Sequence, residues 1–430
     1  MKEVKNMMKS SASWEARAMA MVVLALLTWL TPTEAGACTS FVQETPDGPV
    51  FGVNLDLLVP ADGLLVINRR GIAKENFRKD IHGKTTKWVS QYGSVTFNVA
   101  GRGFVWGGMN ESGLVLSMLE DMASELPEPD GRAPFDLGSW AQYVMDTCAT
   151  VNDVIRVDAV IRPEADNDRP NHFLVADAKG GRAALEYIDG KLVVYRGRAL
   201  PHAAMSNMPY GRAKEAFERG GPRWWWSNPG RSAERFTTAA ARVSAYSPSR
   251  DGNAINYAFH TLSMVSDQYT QWSVGYHIGK RKIWFRTTRH PEPKWLSLDA
   301  FDLSCDAPSL LLDVLTDSTG NVEKAFRPYR RDINLRVFGT MVARLGIQVS
   351  ETDAVNLMKA YEGFDDEITL HKSSNQCKKI SAKSLLNILN NTEVTIFSDN
   401  HLPYSPIIIF HRLNDLVLRS NGLTPQMDHK

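Results

Sequence analysis

The chain has 430 residues, enough for one large domain or two ordinary ones. Apolar residues make up 43% and charged residues 23%, the balance of a soluble globular protein able to bury a sizeable core. A formal net charge of +1 excludes the electrostatic footprint of a nucleic-acid binder and gives no pull towards an anionic membrane.

The first 37 residues read as a secretory signal. Lys2, Lys5, Lys9 and Arg17 form a positive n-region, and Ala18 to Leu30 is an apolar run. That run is shorter than the roughly 20 apolar residues a membrane span needs. Ala35-Gly36-Ala37 is the small-x-small pattern that a signal peptidase cuts, so the mature chain is expected to start at Cys38 in a secreted or periplasmic protein. Two chemistries explain a cysteine there. Lipidation normally needs a leucine three residues upstream, where this chain has Ala35, and seven residues separate Leu30 from Cys38. The other is catalysis. A freed Cys38 carries a thiol nucleophile and an α-amino base on one residue, with ordinary pKa values of about 8.5 and about 7.7–8.0. The thiol attacks an amide carbonyl, an acyl-thioester forms, and the amine protonates the leaving group and then activates water.

Thr39 to Val42 and Phe51 to Asp56 predict two strands joined at Asp47-Gly48. The hairpin returns Asp56 towards Cys38, where it either orients the nucleophile or is simply a solvated turn residue. Trp106 to Gly113 predicts a glycine-rich turn, followed by an apolar strand from Leu114 to Leu119. Phe135 to Ala149 reads as helix, and Thr150-Val151-Asn152 opens a second one. Asn171 to Asp177 and Arg182 to Tyr187 form a hairpin around Lys179-Gly180-Gly181, and Lys191 to Val194 adds a strand. Hairpin runs with helices grouped apart predict α+β layers rather than a parallel sheet. The four cysteines, Cys38, Cys148, Cys305 and Cys377, permit two disulfides, though Cys148 on its apolar stretch reads as a buried free thiol. The ten histidines are scattered, which points to no metal site and no Cys/His protease.

Several segments together resemble the choloylglycine hydrolase family of linear-amide hydrolases, from Cys38 to about Tyr329. They are Cys38-Thr39, Phe51 to Asp56, Gly108 to Leu114, Met205-Ser206-Asn207-Met208-Pro209, Pro229 to Phe236, and Tyr269 to Val274 with Ile283 to Thr287. The resemblance implies an αββα four-layer sandwich of the N-terminal-nucleophile hydrolase type. It implies Cys38 as nucleophile, Asp56 as its orienter, Asn207 as an oxyanion donor and Arg235 as a cation beside the thiolate. It implies no cofactor, a small-molecule acyl amide as substrate, no nucleic-acid partner and no membrane after signal removal, and it is compatible with a homo-oligomer.

Two positions depart from the family pattern. Its arginine in the second strand is Val53 here, and the asparagine after the GMNExGL strand aligns with Glu120. A carboxylate cannot donate to an oxyanion unless protonated. Either a backbone N–H takes over the second oxyanion contact, or Glu120 binds a cationic part of the substrate; Glu120 is a substrate-binding candidate on the second reading. Leu58 and Trp225, the latter within Trp224-Trp225-Trp226, are further substrate-binding candidates, with Leu57, Val59 and Met122 beside them. The competing reading is a lipid-anchored, non-catalytic binding protein with a degenerate site. Domain boundaries are expected at 1–37, 38–335 and 336–430, the last unassigned. Leu335 to Leu345 and Ser381 to Leu389 read there as helices, and Thr395 to Phe397 and Pro406 to Phe410 as strands.

Overall fold

Short apolar and β-branched runs, punctuated by glycine turns, form strands that are buried on both faces at the centre of the molecule. The computed structural model describes residues 38–164, 170–220 and 230–344. In chain order it forms β1 (Thr39–Gln43), β2 (Val50–Asp56), β3 (Leu64–Asn68), β4 (Ala73–Lys79), β5 (Thr85–Val89), β6 (Ser94–Asn98), β7 (Val105–Asn110), β8 (Val115–Glu120) and β9 (Ala133–Asp136). Helices α1 (Leu137–Thr147) and α2 (Val151–Val157) follow. Then come β10 (Ile161–Glu164), β11 (Asn171–Ala176), β12 (Arg182–Ile188), β13 (Lys191–Arg196) and β14 (Ala204–Ser206). Helices α3 (Tyr210–Glu218), α4 (Gly230–Ala245), α5 (Pro248–Asp251) and α6 (Ala254–Met264) precede β15 (Thr270–His277), β16 (Lys282–Thr287), β17 (Lys294–Ser297), β18 (Leu310–Asp313), β19 (Gly320–Asn321) and β20 (Arg327–Pro328). Helix α7 (Arg331–Arg344) closes the described chain.

Two sheets carry the architecture. One runs β14-β1-β2-β15-β16-β17-β19, and the other runs β13-β12-β11-β8-β7-β6-β3-β18-β20. Aromatic side chains fill the space between them: Phe97 of the second sheet meets Trp272, Tyr276 and Phe285 of the first, and Trp106 meets Trp272 edge-on. Helices α4 and α6 cover the outer face of the first sheet, and α1 covers the second. This is the αββα sandwich expected from the sequence.

The helix starts have local causes. The Asp136 carboxylate accepts from the Ser139 N–H at the head of α1, and Thr150 and Asp153 form a reciprocal capping box at α2. Asn253 caps α6 through the N–H groups of Ile255 and Asn256.

Three expectations shift. Trp106 to Asn110 is strand, not turn, because β7 pairs on both sides. The two glycines there answer close approach rather than bending: a Cβ on Gly107 would stand 2.5 Å from the Leu116 carbonyl oxygen, and one on Gly108 2.4 Å from that of Val95. Phe135 and Asp136 belong to β9, and the helix begins at Leu137. The boundary at 335/336 falls inside α7, which buries Val337, Phe338 and Met341 and stacks Phe338 on Phe104. The expected signal, the Trp224-Trp225-Trp226 run and the C-terminal elements past Leu345 lie outside the described residues.

Candidate active site

Cys38 immediately precedes β1 and is 94% buried. Strand pairing assembles its surroundings. Thr39 sits opposite Ser206 of β14 and opposite Asn54 of β2, so one step further Cys38 lies between Asn207 and Leu55. Asp56 is the next residue of β2, and its backbone carbonyl is 3.9 Å from the Cys38 Sγ. On its other side Asp56 pairs with Thr270 of β15. The predicted hairpin therefore does return Asp56 to the cysteine, and β14 brings Asn207 there from the opposite edge.

Arg235 reaches in from α4. Its Nη1 donates to Asp267 Oδ2 at 2.8 Å and lies 3.9 Å from Asp56 Oδ2, while Nη2 donates to Ser232 Oγ at 3.3 Å. Asp267 precedes β15 in a tight turn: its Oδ1 accepts from the Tyr269 N–H, and its own N–H donates to the Thr270 hydroxyl. The sequence reading missed Asp267, although its place two residues before Tyr269 in the matched strand was a usable signal.

Burial dominates the electrostatics. It pushes the Cys38 thiol up to about 12; the Asp56 and Glu120 charges add to this, and a hydrogen bond to the Asp56 backbone and the Arg235 cation pull it back only in part. The pull of Arg235 towards the thiolate is outweighed by burial in this chain, where Cys38 is in peptide linkage. Burial also raises Asp56 to about 7, against the pull of Thr270 and Arg235. Neither Asp56 carboxyl oxygen has a partner within full hydrogen-bond reach among the described residues, and Asn207 Oδ1 likewise has none.

Glu120 ends β8 on the other sheet, and its charge is felt at Cys38. The departing Val53 is buried opposite Ser40, on the same face of the hairpin as Cys38. Leu58 and Met122 remain 55% and 63% exposed just beyond Asp56 and Glu120, whereas Leu57 and Val59 rest against the core. Trp225 lies outside the described residues. Cys148 is a buried free thiol, as expected, and Cys305 is disulfide-bonded.

Comparison with known proteins finds relatives of part of this chain. Residues 38–210 match the family model for linear amide C–N hydrolases of the choloylglycine hydrolase family. This segment is similar to that family. A curated relative, the penicillin V acylase of Pectobacterium atrosepticum, is 26% identical over 242 residues; the match covers 50% of this chain and 61% of that protein. Among solved structures, the penicillin V acylase from Agrobacterium tumefaciens superposes with a TM-score of 0.57 at 23% identity, covering 68% of this chain and 98% of that one. A mutant of the conjugated bile acid hydrolase from Clostridium perfringens gives a TM-score of 0.53 at 15% identity, covering 66% and 98%. These structures share the sandwich fold. The family match starts at Cys38, the residue that the fold places between Asp56 and Asn207. Among the described residues, no helix is long and apolar enough to cross a membrane.

Proposed function

We propose that the protein is a secreted or periplasmic hydrolase of linear acyl amides, with Cys38 as nucleophile once signal cleavage frees its amino group. The observation that carries this reading is the unfilled Asp56 carboxylate beside a buried cysteine. An α-ammonium released at Cys38 gives that carboxylate a hydrogen-bonding cation nearer than Arg235, which stands 3.9 Å away. It also works against the burial and, secondarily, the negative charges that hold the thiol neutral in the uncut chain. Cleavage then acts as the switch from an inert thiol to a reactive one.

In this scheme the Cys38 thiolate attacks the acyl carbonyl, and the Asn207 side-chain amide donates to the developing oxyanion. The Cys38 amine passes a proton to the departing amine, then takes one from the water that opens the thioester. Asp56 holds that amine, and Arg235, itself held by Asp267, favours the ionised thiol. Leu58 and Met122, large apolar side chains left in water on either side of the site, suit an apolar acyl group. Glu120 suits a cationic or hydrogen-bond-donating part of the amine half. The relatives are named for penicillin V and for conjugated bile acids; with Val53 and Glu120 in place of the family's arginine and asparagine, this pocket is more acidic than theirs. The Cys305 disulfide favours an oxidising compartment.

The test joins intact mass to activity. Exported protein should start at unmodified Cys38. It should hydrolyse at least one of a panel made of penicillin V, a glycine-conjugated bile acid, an N-acyl amino acid and an N-acyl homoserine lactone. Cys38→Ala should abolish that hydrolysis while the fold melts normally, and Cys38→Ser should leave little of it. A diglyceride on Cys38, or undiminished hydrolysis by Cys38→Ala, sinks the proposal; the former leaves the lipid-anchored binding protein.

A further inference from the structure

Three ionisable side chains that the scheme above does not use are buried together near the site. His172 on β11 stands opposite Glu186 on β12, one step along the register that pairs Phe173 with Leu185. Asp121 directly follows β8 and Glu120. Their exposures are 0%, 1% and 3%. The His172 Nδ1 lies 3.1 Å from Glu186 Oε1 and 3.6 Å from Asp121 Oδ2. Two carboxylates and an imidazole are expensive to bury, so their partners decide what the cluster is for.

Those partners lead to both halves of the site. Glu186 Oε1 also accepts from the Tyr210 N–H at 2.5 Å. Tyr210 is the first residue of α3, whose N-cap is Pro209 and has no side-chain cap of its own. Glu186 thus caps α3 from the other sheet, where exposed N–H groups and the helix dipole favour a carboxylate. Tyr210 is the third residue after Asn207, and a short Met208 N–H to Ser206 carbonyl bond of 2.6 Å makes the turn between them tight. At the far end, the Asp121 N–H donates to the Pro170 carbonyl at 2.9 Å. Its carboxylate accepts from the Ala123 N–H at 3.2 Å and from Ser124 Oγ at 3.3 Å. The chain is therefore pinned immediately after Glu120.

We infer that Asp121, His172 and Glu186, all on the second sheet, form a strut whose task is to position the Asn207 turn beside Cys38 on the first sheet, with Glu120 reaching the pair from the second. These are positioning residues: they act through Asn207 and touch no substrate. The inference rests on Asn207 being the oxyanion donor.

Two probes of Cys38 separate positioning from general damage, read by intact mass on the processed protein. Iodoacetamide alkylates the thiolate by loss of iodide from its saturated carbon, forming a C–S bond and building no oxyanion. An alkyl β-lactone does build one: the thiolate adds to its carbonyl, the ring C–O bond opens, the freed oxygen takes a proton, and an acyl-thioester remains. Glu186→Gln should slow lactone acylation roughly tenfold while alkylation stays within about twofold. Asn207→Ala should show the same pattern, and the double variant should be no slower than Asn207→Ala alone, because both changes remove one function. Should Glu186→Gln fail to fold, His172→Gln carries the same comparison. Equal slowing of both probes, or losses that multiply in the double variant, overturns the strut. So does a stoichiometric metal ion found in the purified protein, which would make the three side chains ligands. A wild-type Cys38 that takes neither probe, or an undiminished lactone rate in Asn207→Ala, instead overturns the underlying assignment of nucleophile or donor.

Discussion

Asp56 lies beside Cys38 and is strongly perturbed by its burial. In uncut chain its carboxyl titrates near 7, against 3.8 for an ordinary aspartate, because burial disfavours the charge. Between those values the folded state holds a proton that the unfolded state has lost. Stability therefore falls as pH rises from about 4 to about 7 and is level above. A chain started at Gly36 keeps Cys38 in peptide linkage and isolates this effect. In denaturant melts, its Asp56→Asn variant should gain on wild type at pH about 8 relative to pH about 4; an unchanged difference would mean that Asp56 is not held protonated. The same uncut chain should alkylate at Cys38 at least about tenfold more slowly at neutral pH than the mature protein, since no α-ammonium lowers its thiol pKa. Cys38, Asp56, Asn207 and Arg235 were legible because each sits in a short motif or beside the cleavage pattern. His172 and Glu186 were not, since each is a single polar residue whose partner arrives by strand pairing and no local pattern marks it; Asp267 was missed although it stands two residues before the matched Tyr269.

At the scale of elements, register does the assembling. The pairing of β1 with β2 was readable from alternation and the Asp47-Gly48 turn. The pairing of β1 with β14 joins residues far apart in sequence and was not, yet it is what sets Asn207 beside Cys38. Strand β7 makes the same point from the other side. Gly107 and Gly108 look like turn residues in sequence, but they are strand residues whose missing side chains admit neighbouring carbonyls. Gly108→Ala must displace backbone, and overpacking of this kind costs about 1–3 kcal/mol. A melting curve indistinguishable from wild type would show that the approach is looser than the structure has it.

At the scale of the molecule, α7 ties the end of the described chain to the site. Phe338 stacks on Phe104 at 5.8 Å, and Arg344 Nη1 donates to the Pro60 carbonyl at 2.9 Å and to Asp62 Oδ1 at 2.6 Å. Pro60 and Asp62 belong to the segment that follows Asp56 and carries Leu58. Removing a buried phenylalanine ring costs about 3–5 kcal/mol, so Phe338→Ala should lower the unfolding free energy by that order. A loss below about 1 kcal/mol in denaturant melts would show α7 to be dispensable. The expected boundary at 335/336 lies within α7, because that helix buries Val337, Phe338 and Met341, and the surface they cover, around Phe104, is not visible in the local sequence.

The sequence by itself determined the nucleophile candidate, the first hairpin, the layered α+β class and the family resemblance, because these depend on residues close together in the chain or on motifs in a set order. Tertiary structure alone decided which charges meet Cys38, why its thiol is neutral before cleavage, and how Asn207 is held. Those outcomes depend on burial and on pairings between strands far apart, and neither desolvation nor register is a property of a local stretch of sequence.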